Sequence, residues 1–266
     1  MTNTYNWADE LKLFNRRALF HPRLAAKITS LFKIPPAVKV LDVGCAEGDT
    51  LYELILQSSS SFHLTLVEPS ISVSISSERL STVSASCISY QDGIENLIAE
   101  GQLAENYDLI ILSHSIYYLK DRDICVKAMQ SLLTDQGCML IVVRSNQGFD
   151  FKLRCLIGKQ SNETTRFFES VHVKEILEKS EIGYEYMNFD YDIKIEEAEW
   201  RGFVNSHGSN LLKTNILSNL TKLIGHRHDY HLKTRDFKEI CDFVESRLHE
   251  DGNRLIFKDH IYIIKK

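Results

Sequence analysis

Short apolar runs alternate with helix-patterned stretches from Lys39 to Val143, and that rhythm leaves few folds open. The runs are Lys39–Val43, His63–Val67, Ser86–Tyr90, Tyr107–Leu112 and Cys138–Val143. Between them Thr50–Gln57, Ser70–Leu80, Gly93–Gly101 and Asp123–Leu133 read as helices. Strands that are apolar along their whole length need cover on both faces, which a parallel sheet with crossover helices provides. After Arg144 the rhythm changes. Phe167–Ser180 reads as a helix, Tyr184–Ile195 as a long alternating strand, Glu196–His249 as mainly helical, and Leu255–Ile264 as a closing strand. Ahead of the first strand, Asn6–Phe32 reads as one or two amphipathic helices broken at Pro22. The pattern predicts an α/β fold: a doubly wound, mostly parallel seven-stranded sheet with an antiparallel last strand. Residues 1–36 form an N-terminal helical cap, 37–195 and 251–266 the core, and 196–250 a helical insertion forming the acceptor pocket.

Composition narrows the partners. With 266 residues and 44% apolar content, the chain can bury one large core with an elaboration. A net charge of −5 gives no general attraction to phosphate backbones, so a nucleic-acid partner is not expected. No basic-then-apolar leader and no apolar run of about 18 residues is visible, so a membrane partner is not expected either. Six cysteines are spread at 45, 87, 125, 138, 155 and 241 without a CxxC pair, which fits reduced thiols in a cytoplasmic protein. Oligomeric state is not readable.

In doubly wound sheets a ligand sits at the carboxyl ends of the strands, beside the switch in strand order. The first strand runs into Asp42-Val43-Gly44-Cys45-Ala46-Glu47-Gly48. A dinucleotide fingerprint needs G-x-G-x-x-G, but alanine stands at 46 where a pyrophosphate requires close backbone approach. A phosphate-cradling loop needs G-K-[ST], but Asp49 follows Gly48. Asp42 and Glu47 add negative charge that repels phosphate and tolerates a cation. Glu68, closing the run LTLVEP with Pro69, can accept from both hydroxyls of a ribose. Asp92, in QDG with Gly93, can accept from an adenine amino group. A nucleoside without phosphates and with a positive charge satisfies all of these, and S-adenosyl-L-methionine is such a molecule.

The strings LDVGCAEG, VEP, QDG and YDLIILSHSIYYLKD resemble the class I S-adenosylmethionine-dependent methyltransferases over residues 37–145. The family's first motif is commonly an acid followed by G-x-G-x-G, and Ala46 departs from it at the middle glycine. The resemblance implies a Rossmann-like core. In it Gly44 and Gly48, with Cys45 and Ala46 between them, line the methionine tail, Glu68 holds the ribose, Asp92 faces adenine, and Ser113 closes the fourth strand beside the cofactor. A narrower likeness, carried by VEPS, YYLKD, MLIVVRSNQGFDFKL and LIFKDHIYII, is to the histamine N-methyltransferase group. It implies a small-molecule or peptide amine acceptor. At the positions that hold histamine in that group, this chain has His114 and the pair Phe20–His21.

On the acceptor side, His114 stands just past the fourth strand, placed to take a proton from the acceptor or to hydrogen-bond it. The [DNS]-P-P-[YFW] signature of enzymes that methylate base or glutamine amides is absent; the chain reads SHSI. Tyr117, Tyr118, Trp200 and Phe203 are candidate walls of the acceptor pocket, and Tyr5 and Trp7 candidate caps on the cofactor. The run from His226 to His231 lacks metal-ligand spacing and reads as a basic loop, so no metal is expected. The expected activity is methyl transfer to a small-molecule or peptide acceptor, with nitrogen favoured. The alternatives are O-methylation of a phenol or carboxylate, and a catalytically silent methyltransferase fold that serves as a binding subunit.

Overall fold

The computed structural model describes residues 14–103, 106–160, 168–205 and 234–266. The described elements are, in chain order, α1 (Phe20–Leu31), β1 (Ala37–Val43), α2 (Asp49–Leu56), β2 (Ser61–Val67), α3 (Ser72–Ser81), β3 (Ser86–Tyr90), α4 (Ile94–Ala99), β4 (Tyr107–Ser113), α5 (Arg122–Ser131), β5 (Leu133–Arg144), α6 (Phe149–Gln160), α7 (Ser170–Lys179), β6 (Glu185–Lys194), α8 (Glu197–Asn205), α9 (Thr234–Glu250) and β7 (Arg254–Lys265). One seven-stranded sheet results, in the order β3-β2-β1-β4-β5-β7-β6. β1 runs parallel to β2 and β4, β2 to β3, and β4 to β5, whereas β7 is antiparallel to β5. The sheet is therefore the expected one, closing strand included. The order reverses between β1 and β4, so their carboxyl ends flank the crevice where such sheets bind ligands.

The apolar runs dictate this arrangement. β1 and β2 share one burial rhythm, exposed at the start and continuously buried over the last four residues, because both of their faces are covered there. Leu41, Ile110, Leu112, Met139, Ile141 and Val143 face one core cluster together with Ile94 and Leu97 of α4 and Val126 and Met129 of α5. Each fully buried aliphatic side chain of this kind contributes about 1.5–3 kcal/mol. A buried polar tie crosses the sheet where the Tyr107 hydroxyl donates to Thr65 Oγ1 at 3.1 Å.

The N-terminal break falls at Leu19 and not at Pro22. Leu19 has φ 48°, and Pro22 lies inside the first turn of α1, where its missing N–H leaves no carbonyl unserved. Tyr117 and Tyr118 belong to a single 3-10 turn, Ile116–Tyr118, that precedes α5 and is not part of it.

The chain forms two compact units, each drawn from three stretches. The larger comprises His21–Ser145, Phe168–Phe189 and Asp259–Lys266; the smaller comprises Met1–Phe20, Asn146–Phe167 and Asp190–Lys258. The smaller unit is held by aromatic packing. Phe257 meets Phe14 edge-on at 4.9 Å and Phe149 at 5.6 Å, and it stacks on Tyr191 at 5.5 Å. Within that unit Arg17 donates to both carboxylate oxygens of Glu199 and to the Lys194 carbonyl. Among the described residues no helix is long and apolar enough to cross a membrane.

Candidate active site

The loop after β1 is a succession of left-handed residues. Gly44, Ala46 and Gly48 have φ of 73°, 47° and 72°. Gly44 donates its N–H to Val67 O at 2.7 Å, and Gly48 donates to Cys45 O at 2.8 Å. The two glycines are required first by protein packing. A Cβ on Gly44 would lie 2.3 Å from Ser115 Cβ, and one on Gly48 would lie 2.7 Å from Leu80 Cδ1. Ala46 accepts a conformation that costs an L-residue about 1–2 kcal/mol, and its N–H is tied to Glu68 Oε2 at 3.2 Å.

Glu68 lies directly after β2. Its other oxygen accepts from Ser70 N–H at 3.0 Å, across the exposed Pro69. Each carboxylate oxygen offers more than one acceptor site, so Glu68 can shape two loops and still receive ligand hydroxyls. Asp42, one residue before the end of β1, is 4% exposed. Burial, and secondly the negative charge of Glu68, pushes its carboxyl up to about 7. Two acids so close disfavour a phosphate and favour a cation. Cys45 turns away from the loop surface: its Sγ lies 3.7 Å from Ser76 Oγ, and burial raises its thiol far above the ordinary range. Cys45 thus serves the loop through its main chain. Asp92 Oδ1 accepts from Gly93 N–H at 2.6 Å and from Asn96 Nδ2 at 2.7 Å, which fixes the entry to α4.

Past β4 the chain turns sharply. Ser113 ends the strand half-buried, and His114 takes φ 55° while donating its N–H to Val142 O at 3.0 Å. The His114 ring is held at both nitrogens. Nδ1 lies 3.0 Å from the Tyr117 hydroxyl and Nε2 lies 3.0 Å from Asp259 Oδ2. The Tyr117 oxygen also accepts from Arg144 N–H at 2.8 Å. Ser115 follows, buried beside Gly44 with a hydroxyl that has no hydrogen-bond partner among the described residues. Tyr118 faces outward, 73% exposed.

The structure therefore brings Asp42, Gly44, Cys45, Ala46, Gly48, Glu68, Pro69, Asp92, Gly93, Ser113, His114 and Tyr117 to the carboxyl edge of the larger unit. Trp200 lies half-buried on α8 in the smaller unit. The Phe203 side chain, Tyr5, Trp7 and the run 226–231 lie outside the described residues. Among the described residues no three His, Cys, Asp or Glu side chains are grouped as a metal site requires.

Three residues of this edge carry no motif. Asp259 reaches it because β7 runs antiparallel: Arg144, at the carboxyl end of β5, pairs with Asp259. The signal for it is the inward series Leu255, Phe257, Asp259, Ile261, in which an acid occupies a core position. His21, at the start of α1, bonds through Nδ1 to Thr50 Oγ1 at 2.8 Å, and its Nε2 lies 3.8 Å from Asp49. Burial lowers the His21 pKa, opposed by Asp49 and reinforced by His114 and Arg79. Ser115 stands out only through its packing on Gly44.

The fold recurs in solved proteins of low sequence identity. YcgJ from Bacillus subtilis aligns with a TM-score of 0.55 at 15% identity, over 92% of this chain and 99% of its own. The plantazolicin methyltransferase BamL, solved in complex with a triazolic desmethylPZN analog and SAH, aligns at 0.51 and 17% identity, over 97% of this chain and 90% of its own. The [4+2]-cyclase SpnF aligns at 0.51 and 13% identity, over 92% of this chain and 81% of its own. No curated protein matches the sequence. A family model described as a methyltransferase domain matches residues 14–209, well over half of the sequence, and the chain belongs to that family.

Proposed function

We propose that this protein is an S-adenosylmethionine-dependent methyltransferase acting on a small molecule or short peptide, with an amine or imidazole nitrogen as the favoured acceptor. One observation carries the reading: Glu68 grips the Ala46 N–H at the carboxyl ends of β1 and β2, beside the switch point and next to the buried Asp42. The arrangement suits a phosphate-free adenosine bearing positive charge. The buried Ser115 hydroxyl beside Gly44, which has no partner among the described residues, offers such a ligand a further polar contact. In this reading the backbones of Gly44, Cys45, Ala46 and Gly48 surround the amino-acid tail, Glu68 holds the ribose hydroxyls, Asp92 and Gly93 meet adenine, and Ser113 lies beside the cofactor. Bound there, S-adenosylmethionine supplies an electrophilic methyl group on a good leaving group. The chain's residues then have to orient the acceptor, exclude water and remove a proton where the acceptor carries one. Orientation alone is worth about 7–11 kcal/mol.

His114 is the proposed proton-handling residue, and the resemblance read from VEPS, YYLKD, MLIVVRSNQGFDFKL and LIFKDHIYII favours nitrogen as the target. Cytoplasmic placement, with neither nucleic acid nor membrane as partner, is in keeping with the scattered cysteines and the net charge of −5. Calorimetry with S-adenosylmethionine tests the core of the reading. Micromolar binding is expected, and no heat at millimolar ligand refutes it. Release of S-adenosylhomocysteine across amines, imidazoles, phenols and carboxylates then separates N- from O-transfer. Tight binding without release from any acceptor would favour a fold kept for another task, as in SpnF, which is a [4+2]-cyclase.

A further inference from the structure

We propose that Asp259, His114 and Tyr117 form a proton path in which the Tyr117 phenol oxygen meets the acceptor, His114 stores the proton and Asp259 is a positioning residue. The inference deepens the reading above and rests on it for the identity of the reaction.

The hydrogen-bond roles follow from donor and acceptor chemistry. A main-chain N–H can only donate, so Arg144 gives its proton to Tyr117 Oη. A carboxylate can only accept, so His114 Nε2 carries the hydrogen toward Asp259 Oδ2. A neutral imidazole then presents Nδ1 as a lone pair, and the Tyr117 hydroxyl donates to it. Every bond in the series points toward the carboxylate. The division of labour matches that of Ser-His-Asp sites, with a phenol in place of the serine and the two ring nitrogens exchanged.

The surrounding geometry fits a device more than a tie. Asp259 is 1% exposed, while the His114 side chain keeps 26% of its surface. A buried acid whose side chain has, among the described residues, one imidazole for a partner is an expensive way to join a strand to a loop. His114 is held in a left-handed backbone conformation that favours glycine, which spends stability on this one orientation. The Tyr117 ring lies nearly parallel to the imidazole and edge-on to Phe168, so its hydroxyl is fixed from the side as well. The titratable groups set against His114 among the described residues include Asp259 from β7, Tyr117 from the 3-10 turn and His21 from α1, whose pKa the charge of His114 helps to lower.

The balance is simple. An ammonium has no lone pair. Its proton passes to Tyr117 Oη as the Tyr117 proton passes to His114 Nδ1, and the resulting imidazolium faces the Asp259 carboxylate. After turnover the proton leaves to water and the three groups return to their starting state. The substrate class implied is an acceptor that arrives protonated, an ammonium or a phenol. A carboxylate needs no such path.

The test begins without cofactor. Nitrogen-15 NMR of the His114 ring should show a single neutral tautomer with the hydrogen on Nε2, and Asp259→Asn should lose that preference. A wild-type ring with its hydrogen on Nδ1 overturns the proposal. With S-adenosylmethionine and the amine or phenol best used in the screen, Asp259→Asn and Tyr117→Phe should each lower kcat by about 100-fold or more while cofactor affinity holds. The double variant should be no worse than either single one. In Asp259→Asn the rising limb of kcat against pH should move to lower pH, because the carboxylate that stabilises the imidazolium is gone. Turnover within about threefold of wild type in both variants, with the limb unmoved, overturns the proposal. A chain that binds no S-adenosylmethionine but shows the Nε2 tautomer would refute the transfer reading and uphold the proton path.

Discussion

Replacing Asp42 by asparagine should make the ligand-free protein more stable at alkaline pH and its cofactor complex weaker. The acid is 4% exposed, and burial together with Glu68 lifts its pKa from 3.8 to about 7. The folded state thus binds this proton more tightly than the unfolded chain does. The contribution to stability is fully present below the unfolded value of 3.8, declines above it and is lost as pH rises through about 7. At about 1.4 kcal/mol for each pKa step, the difference amounts to roughly 4 kcal/mol at pH 8. Asparagine has nearly the same shape and no charge, so it escapes that penalty. Its amide still needs partners, which returns about 1–3 kcal/mol and leaves an expected gain of about 1–3 kcal/mol. Urea unfolding of both proteins at pH 5, 7 and 8.5 measures this. The two stabilities should converge at pH 5 and separate at pH 8.5, the variant being the firmer. Calorimetry at pH 8 should show the opposite order for S-adenosylmethionine, because the variant lacks the charge that attracts a cation. Parallel pH profiles, or a variant no more stable at pH 8.5, would refute the assignment of Asp42 as a strained buried acid.

Three further outcomes follow from the same edge of the sheet. Glu68→Ala removes the acceptor of the Ala46 and Ser70 N–H groups as well as the proposed ribose contact, so cofactor affinity should fall by about 30-fold or more; an unchanged dissociation constant would remove Glu68 from the site. Gly44→Ala should cost about 2–4 kcal/mol, combining the left-handed backbone with overlap on Ser115 Cβ. Adding Ser115→Gly should recover at least about 1 kcal/mol in a double-mutant cycle, and strictly additive costs would show that the overlap is not the cause. Burial lowers the His21 pKa, so its contribution to stability is present above the ordinary value of 6.5 and lost as pH falls through the lowered one. His21→Gln should therefore lose less stability between pH 7 and pH 4, as urea midpoints will show, and an equal loss would contradict the burial.

The strand–helix rhythm brings the sheet into view because burial on both faces demands continuous apolar runs, and those are local in sequence. The start of β5 is hidden from such a reading. Thr134-Asp135-Gln136-Gly137 has turn chemistry, yet the ladder already holds Leu133 opposite Tyr107 before a register shift. Gly137 is needed there because a Cβ would sit 2.7 Å from Tyr107 O. At the site, Gly44, Gly48 and Glu68 are legible from spacing, but the packing partners of the glycines, Ser115 and Leu80, are not. Spacing also puts Cys45 in the loop, whereas the direction of its side chain depends on α3. Asp259 escapes a motif search because its partner His114 lies 145 residues away and meets it only through an antiparallel register. The left-handed backbone of His114 has no signal at all, since histidine does not advertise that conformation as glycine does.

The smaller unit, collected from three separated stretches, bears on how such a protein can evolve. No single cut releases it, so it cannot be exchanged between relatives as one contiguous cassette. Each stretch can lengthen, shorten or drift on its own while the carboxyl edge proposed to bind the cofactor, contained within the larger unit, stays under separate selection. A lineage built this way is free to change the smaller unit stretch by stretch without rewriting the larger.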